Sequence, residues 1–187
     1  LFESLPAGVT ACVNLDDAYA GLWQTLAGDA RQIGFGWSQG EVRVTDCQLH
    51  SDRVALTLAT PLGPIAAEIP APGEHVARNA LTAVSLAIAL GVSAAAIAQG
   101  LSQFAGAPGR LQRKLRADGV LVLDDTYNAN PDSMRAALRV LAAQPGARHA
   151  VLGDIGELGD GGPAMHAEVG AFARELGIDS LHGLGEL

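Results

Sequence analysis

With 187 residues, 49% of them hydrophobic, the chain can bury a sizeable core, in one large or two small domains. Twenty acidic residues against 12 Lys and Arg give a net charge of −8, which argues against a protein that tracks nucleic acid through clustered cations. Cys12 and Cys47, without C-x-x-C spacing, read as free thiols of a reducing, cytosolic compartment.

In chain order, Phe2 to Val9 reads as a helix end and loop, and Thr10 to Val13 as a short strand delivering Asn14-Leu15-Asp16-Asp17. Asp17 to Leu26 has helical character, and Arg31 to Gly36 returns as a strand. From Glu41 the apolar period changes to two: Val42, Val44, then Val54, Leu56 and Leu58, then Ile65, Ala67 and Ile69 after the turn Pro61-Leu62-Gly63-Pro64. That pattern predicts a small antiparallel sheet. Two helices follow, Ala77 to Leu90 and Ala94 to Phe104, the second capped by Ser93. The first is apolar but too short to span a bilayer, and it carries Thr82 and Ser85.

Gly106-Ala107-Pro108-Gly109 breaks the helical pattern, which places a domain boundary at 107/108. Beyond it strands and helices alternate: Leu111 to Leu115, Val120 to Leu123, a helix from Pro131 to Ala143, His149 to Leu152, a helix from Pro163 to Leu176, and Ser180 to Leu184. The alternation predicts an incomplete doubly wound parallel sheet. Its centre is Leu121 to Met134. An apolar strand runs into Asp124-Asp125, as a buried parallel strand does where it opens onto a ligand crevice. Asn130, Pro131 and Asp132 then form a helix start, and Met134, Ala137, Leu138 and Leu141 line one face of that helix.

The adjacent carboxylates are either a solvated turn or, with the aromatic Tyr127 and two asparagines, part of a sugar or base site. Gly153-Asp154-Ile155-Gly156-Glu157-Leu158-Gly159 follows the next strand, so Asp154 and Glu157 are either turn residues or a second acidic loop at the same sheet edge. The basic run Arg110, Arg113, Lys114, Arg116 has a solvated strand or loop as its simplest reading. The five histidines show no metal-ligand spacing, and His166 reads as a polar residue at a helix start. No G-x-S-x-G elbow, G-x-G-x-x-G fingerprint or Walker A motif is present; Lys114 is the single lysine.

Gly73-Glu74-His75-Val76-Ala77-Arg78-Asn79-Ala80-Leu81, Pro108-Gly109-Arg110, Leu123-Asp124-Asp125-Thr126-Tyr127-Asn128-Ala129-Asn130-Pro131 and Gly153-Asp154 with Glu157-Leu158-Gly159 together resemble the Mur ligases of peptidoglycan synthesis. The wording of the last two segments resembles the members that add D-alanyl-D-alanine to UDP-N-acetylmuramoyl-tripeptide. The resemblance implies an ATP- and Mg2+-dependent cytoplasmic ligase of cell-wall biogenesis, in which ATP phosphorylates a carboxylate and an amine attacks the acyl phosphate. The fold it implies is the distal part of a central ATP-binding domain over residues 1–107, then the first part of a Rossmann-like C-terminal domain over 108–187.

On matching residues the resemblance implies Asn79 at adenine, Arg110 at the phosphates once the C-terminal domain closes, and Asp125 at the ribose hydroxyls. Tyr127 is a further nucleotide candidate, and Asp154 and Glu157 are candidates on the substrate side. The family's His-Asn pair reads His75-Val76 here, which leaves Asn79 to serve adenine alone. The family's P-loop, modified lysine and metal ligands would precede Leu1, so the chain is expected to be a piece of a longer protein and inactive by itself. Two other readings are a Mur ligase adding diaminopimelate or glutamate, and a non-catalytic nucleotide-binding module.

Overall fold

The structure, a computed structural model, describes residues 2–6, 8–104 and 106–186. The chain divides into two compact units, residues 1–104 and 105–187.

In the first unit, β1 (Thr10–Asn14), β2 (Arg31–Gly36), β3 (Val42–Leu49), β4 (Val54–Ala59) and β5 (Ile65–Ile69) form one sheet in the order β1-β2-β3-β4-β5. β1, β2 and β3 run parallel, and β3, β4 and β5 antiparallel. The antiparallel strands expected from the period-two pattern are therefore present, but they extend a parallel pair within one mixed sheet. The join is short: only Phe35↔Val42 and Gly36↔Arg43 pair β2 with β3, so no long apolar run marks it in sequence.

The helix α1 (Ala20–Leu26) crosses from β1 to β2 and starts three residues later than the sequence pattern implies. Asp17 accepts from the Tyr19 backbone N–H at 2.7 Å, holding that stretch as a turn. α2 (Glu74–Ala89) and α3 (Ala94–Ser102) follow the sheet, and Ser93 caps α3 by accepting from Ala96 N–H. Ile33, Val42, Val54, Leu58, Leu81 and Val84 are among the core residues, all at most 2% exposed. Ser85 is fully buried in this apolar setting, and its hydroxyl donates to the Leu81 carbonyl at 2.7 Å, so the polar group is satisfied inside its own helix.

The second unit contains β6 (Gln112–Leu115), β7 (Leu121–Asp124), α4 (Pro131–Ala142), β8 (His149–Gly153), α5 (Gly162–Glu175) and β9 (Ser180–Leu184). β8 and β9 pair in parallel across α5, as the alternation predicts. β6 and β7 instead form an antiparallel hairpin, with Gln112 opposite Asp124 and Leu115 opposite Leu121. The turn explains the difference: Gly119 adopts φ 85°, its N–H donates to Arg116 O, and Val120 N–H donates to Asp118 Oδ1. Asp-Gly at a tight turn is a hairpin signal. In the same vein, Val120 is 51% and Val122 39% exposed, so β7 is not the buried strand its apolar run implies.

α4 packs Met134, Leu138 and Leu141 into a second core with Ala150, Ile155 and Val169. Its start is doubly fixed. Asn130 Oδ1 accepts from Ser133 N–H at 2.8 Å, Ser133 Oγ accepts from Asn130 N–H at 3.0 Å, and Pro131 occupies the first turn. Replacing Asn130 with Ala should lower the unfolding free energy by about 0.5–2 kcal/mol, and Asn130→Ser by less, measured by denaturant titration. An Asn130→Ala midpoint equal to the parent's would show that the cap contributes nothing.

Candidate active site in the second unit

β7 ends in Asp124, and Asp125 follows it directly, the two side chains turning opposite ways as they do along an extended chain. Asp124 turns back onto the hairpin. Lys114 Nζ donates to its Oδ2 at 2.5 Å, and its Oδ1 accepts from Thr126 Oγ1 at 2.7 Å and Thr126 N–H at 3.2 Å. The Lys114 hydrogen bond, then the two from Thr126, hold this carboxyl at about 2, well below the ordinary 3.8.

Asp125 reaches instead to the segment before β6. Its Oδ1 accepts from the Leu111 backbone N–H at 2.9 Å, while Tyr127 N–H donates to Gly109 O at 3.0 Å. The turn Gly109-Arg110-Leu111 is thereby tied to the loop 125–127 at two points. Both flanking residues need it. Leu111 sits at φ 49°, a left-handed conformation uncommon for a branched apolar residue, and Gly109 at φ 66°. A Cβ on Gly109 would lie 3.1 Å from Tyr127 N, so glycine also permits the close approach.

Between them, Arg110 projects its guanidinium over the Tyr127 ring, 4.4 Å from the centroid. Such a stack is worth about 0.5–1 kcal/mol at an exposed site, and Tyr127 is 68% exposed. The other members of the basic run are engaged: Arg113 with Gln144 Oε1 at 3.2 Å, Lys114 with Asp124, Arg116 with Asp118 at 3.0 Å. Among the described residues Arg110 makes no ion pair. A planar cation held in place without a carboxylate suits an anionic ligand, and the Asp125 oxygen that Leu111 does not use suits a hydroxyl.

Three of the candidates, Arg110, Asp125 and Tyr127, thus form one constellation. Asp154 and Glu157 lie after β8 on another loop of this unit. Asp154 Oδ2 accepts from Glu186 N–H at 2.9 Å and fills the space beside Gly185, whose φ of 135° admits no side chain readily. Glu157 is exposed and, at φ 62°, also left-handed. Asn79 belongs to the first unit, exposed on α2.

Next to it in sequence, Arg78 donates to Glu74 at 2.7 Å and lies 4.8 Å from the centroid of Trp37, whose backbone N–H donates to Asp16 Oδ2 at 2.7 Å. The open groove of about 650 Å³ over β4 and β5, lined by Asp46, Arg53, Thr57 and Glu68, contains none of the candidates. Among the described residues no cluster of His, Cys, Asp and Glu could hold a metal ion, and no helix is long and apolar enough to cross a membrane.

Cys12 and Cys47 are free, the Cys12 thiol pushed up by burial and that of Cys47 by burial and then by Glu74 and Asp46. Sequence reasoning missed the clamp on Leu111, the Lys114–Asp124 pair and His166, whose Nε2 accepts from the Ile155 backbone N–H at 2.8 Å. Of these only the hairpin that brings Lys114 to Asp124 had a signal, Asp118-Gly119.

This arrangement coincides with a family match along most of the chain. Residues 1–87 match the Mur ligase middle domain, and residues 109–187 the Mur ligase domain described as its glutamate ligase domain. The chain belongs to the Mur ligase family.

Within the family it is 37% identical over its whole length to UDP-N-acetylmuramoyl-tripeptide–D-alanyl-D-alanine ligase of Escherichia coli K12, of which it covers 42%. A crystal structure of MurF from Acinetobacter baumannii superimposes with a TM-score of 0.92 at 38% identity, over 99% of this chain and 40% of that one. MurF of Thermotoga maritima, solved with ADP, has a TM-score of 0.78 at 21% identity over 94% of this chain and 40% of that one, a likeness of fold. The chain spans about two-fifths of the length of these relatives.

The Asp124 environment makes a pH prediction. Because its folded value is below 3.8, its contribution to stability is complete above about pH 3.8 and is lost as pH falls through about 2. Side-chain carboxyl titration by NMR should give a midpoint near 2, and Lys114→Ala should raise it toward 3.8. A parent midpoint at 3.8 would mean that the pair does not persist in solution.

Proposed function

We propose that the protein containing this chain is an ATP-dependent amide ligase of peptidoglycan precursor synthesis, joining D-alanyl-D-alanine to UDP-N-acetylmuramoyl-tripeptide. What carries the reading is the Arg110–Tyr127–Asp125 constellation in a chain 37% identical to such a ligase. The first unit serves as the distal part of the central domain and the second as the start of the C-terminal domain. The protein works in the cytoplasm, in keeping with its two free cysteines.

ATP supplies the phosphoryl group that activates a carboxylate, and Mg2+ is held by residues other than those of this chain. Arg110 binds phosphate oxygens through its fork, Asp125 binds ribose hydroxyls through the oxygen not given to Leu111, and Tyr127 holds Arg110 in register. Asn79 faces adenine. Asp154 and Glu157 belong to the side of the amine-bearing substrate, with Asp154 fixing the chain after β9 and Glu157 presenting its carboxylate.

Three experiments test this. The 187-residue chain alone, given ATP, magnesium, the tripeptide nucleotide and D-alanyl-D-alanine, should release no phosphate above blank, whereas the full-length protein should ligate. Steady turnover by the chain alone would overturn the assignment of the phosphoryl-transfer groups to other segments.

In the full-length protein, Arg110→Lys keeps the charge and loses the fork, and Arg110→Ala loses both. Turnover should fall by on the order of tenfold to a thousandfold, Ala more than Lys, and by more than the ATP constant rises. Turnover of Arg110→Ala within about twofold of the parent, in a folded protein, would make Arg110 one more solvated charge.

Asp125→Ala should raise the ATP Michaelis constant by about tenfold to a hundredfold and lower the melting temperature, since it removes the Leu111 acceptor as well. Asp125→Asn keeps an acceptor for Leu111, so it should recover most of the stability while the constant stays raised. Full recovery of both would leave Asp125 a turn residue only.

A further inference from the structure

Between β8 and α5 the chain passes through Asp154-Ile155-Gly156-Glu157-Leu158, a stretch whose conformation does not hold itself. Glu157 is left-handed at φ 62°, and Gly159 follows at 58°. A side-chain-bearing residue held in that region is strained and persists only where its surroundings over-determine it. Ile155, only 3% exposed, plugs into the core beside Leu138 and Val169. The plug brings its backbone N–H out of water, and a buried N–H requires an acceptor.

His166, on the first turns of α5, supplies it. Its Nε2 lies 2.8 Å from Ile155 N and its Nδ1 2.7 Å from Gly162 O. An amide N–H only donates and a carbonyl only accepts. One state of the ring satisfies both: a neutral imidazole with its proton on Nδ1. The ring therefore bridges the loop to the helix start, and each of its two nitrogens has a different task.

We infer that His166 is a positioning residue: it locks the 153–159 loop, and with it Glu157, in the conformation that receives the amine-bearing substrate. The substrate half of this inference rests on the function proposed above. His166 acts through the loop, with both ring nitrogens engaged by backbone.

The two nitrogens can be tested separately. In His166→Gln the side-chain oxygen reaches the place of Nε2 and keeps an acceptor for Ile155. In His166→Asn the amide stands near Nδ1 and keeps only the bond to Gly162. In the full-length protein, hydrogen exchange of the Ile155 amide should accelerate roughly tenfold to a hundredfold in His166→Asn and His166→Ala, the loss of one buried hydrogen bond, and by less than about threefold in His166→Gln.

The same order should appear in kcat/KM for D-alanyl-D-alanine, with the Michaelis constant for ATP unchanged within about twofold in all three. A merely structural role at the helix start would favour Asn over Gln and would move no substrate constant selectively. Equal exchange and equal kcat/KM in Gln and Asn overturns the inference, and that comparison stands even where the Ala variant fails to fold. If the parent ligates no dipeptide, the functional reading fails and the substrate half falls with it. Ile155 exchange in Gln against Asn then still decides whether His166 holds the loop.

Discussion

The candidate site in the second unit depends on one hydrogen bond, from Leu111 N–H to Asp125 Oδ1. Without it the segment Gly106 to Leu111 is a Gly- and Pro-rich connection with many accessible conformations, and an arginine on it would have no fixed address. A left-handed branched residue costs roughly 1–2 kcal/mol, and a hydrogen bond to a charged acceptor contributes about 1.5–3 kcal/mol. The two nearly cancel. The turn is decided by the smaller additions: Tyr127 N–H to Gly109 O, the absence of a side chain on Gly109, and the Arg110 stack on Tyr127.

The adjacent carboxylates are thus a division of labour set by the strand period. Asp124, turned toward the hairpin, is saturated by a lysine, a hydroxyl and a backbone N–H. It is spent on structure, and its acidity registers that. Asp125, turned the other way, gives one oxygen to backbone and keeps the second. A fully solvated pair would leave both carboxylates equivalent; the structure does not.

The positions of the elements were largely legible in the sequence, because apolar period, Asn130-Pro131 and Ser93 are local signals and the structure uses them locally. What was not legible is pairing. Val120 to Leu123 carries the composition of a buried parallel strand, yet Asp118-Gly119 folds it back on Gln112 to Leu115. Likewise the short β2–β3 join merges the expected antiparallel sheet with the strands before it through two residue pairs. Within the candidate site, residue types pointed to Asp125 and Tyr127, and the family resemblance to Arg110. Their mutual geometry depends on a backbone N–H at Leu111 and a positive φ, neither of which any residue name announces. His166 is the clearest case, since a lone histidine on a helix carries no pattern and its role is defined by a carbonyl and an amide.

The first unit solves the same problem in the same way. Asp16, just past the end of β1, accepts from Trp37 N–H at 2.7 Å, and Gly36 is needed there because a Cβ would stand 2.8 Å from Asp16 Oδ1. Arg78 then lies over Trp37 as Arg110 lies over Tyr127. Each unit therefore spends a carboxylate near a strand end on a backbone amide, uses a glycine to permit the approach, and sets an arginine on the aromatic ring so placed. The difference is in what the arginine has left. Arg78 is closed by Glu74 in a bond of 2.7 Å and by Asp16 at 3.5 Å, whereas Arg110 has no carboxylate among the described residues. An arginine already neutralised stabilises its own surroundings, and one stacked but unpaired leaves its donors open. The same local device yields a paired arginine in one unit and an arginine without a carboxylate partner among the described residues in the other, and the presence of Glu74 and Asp16 is what separates them.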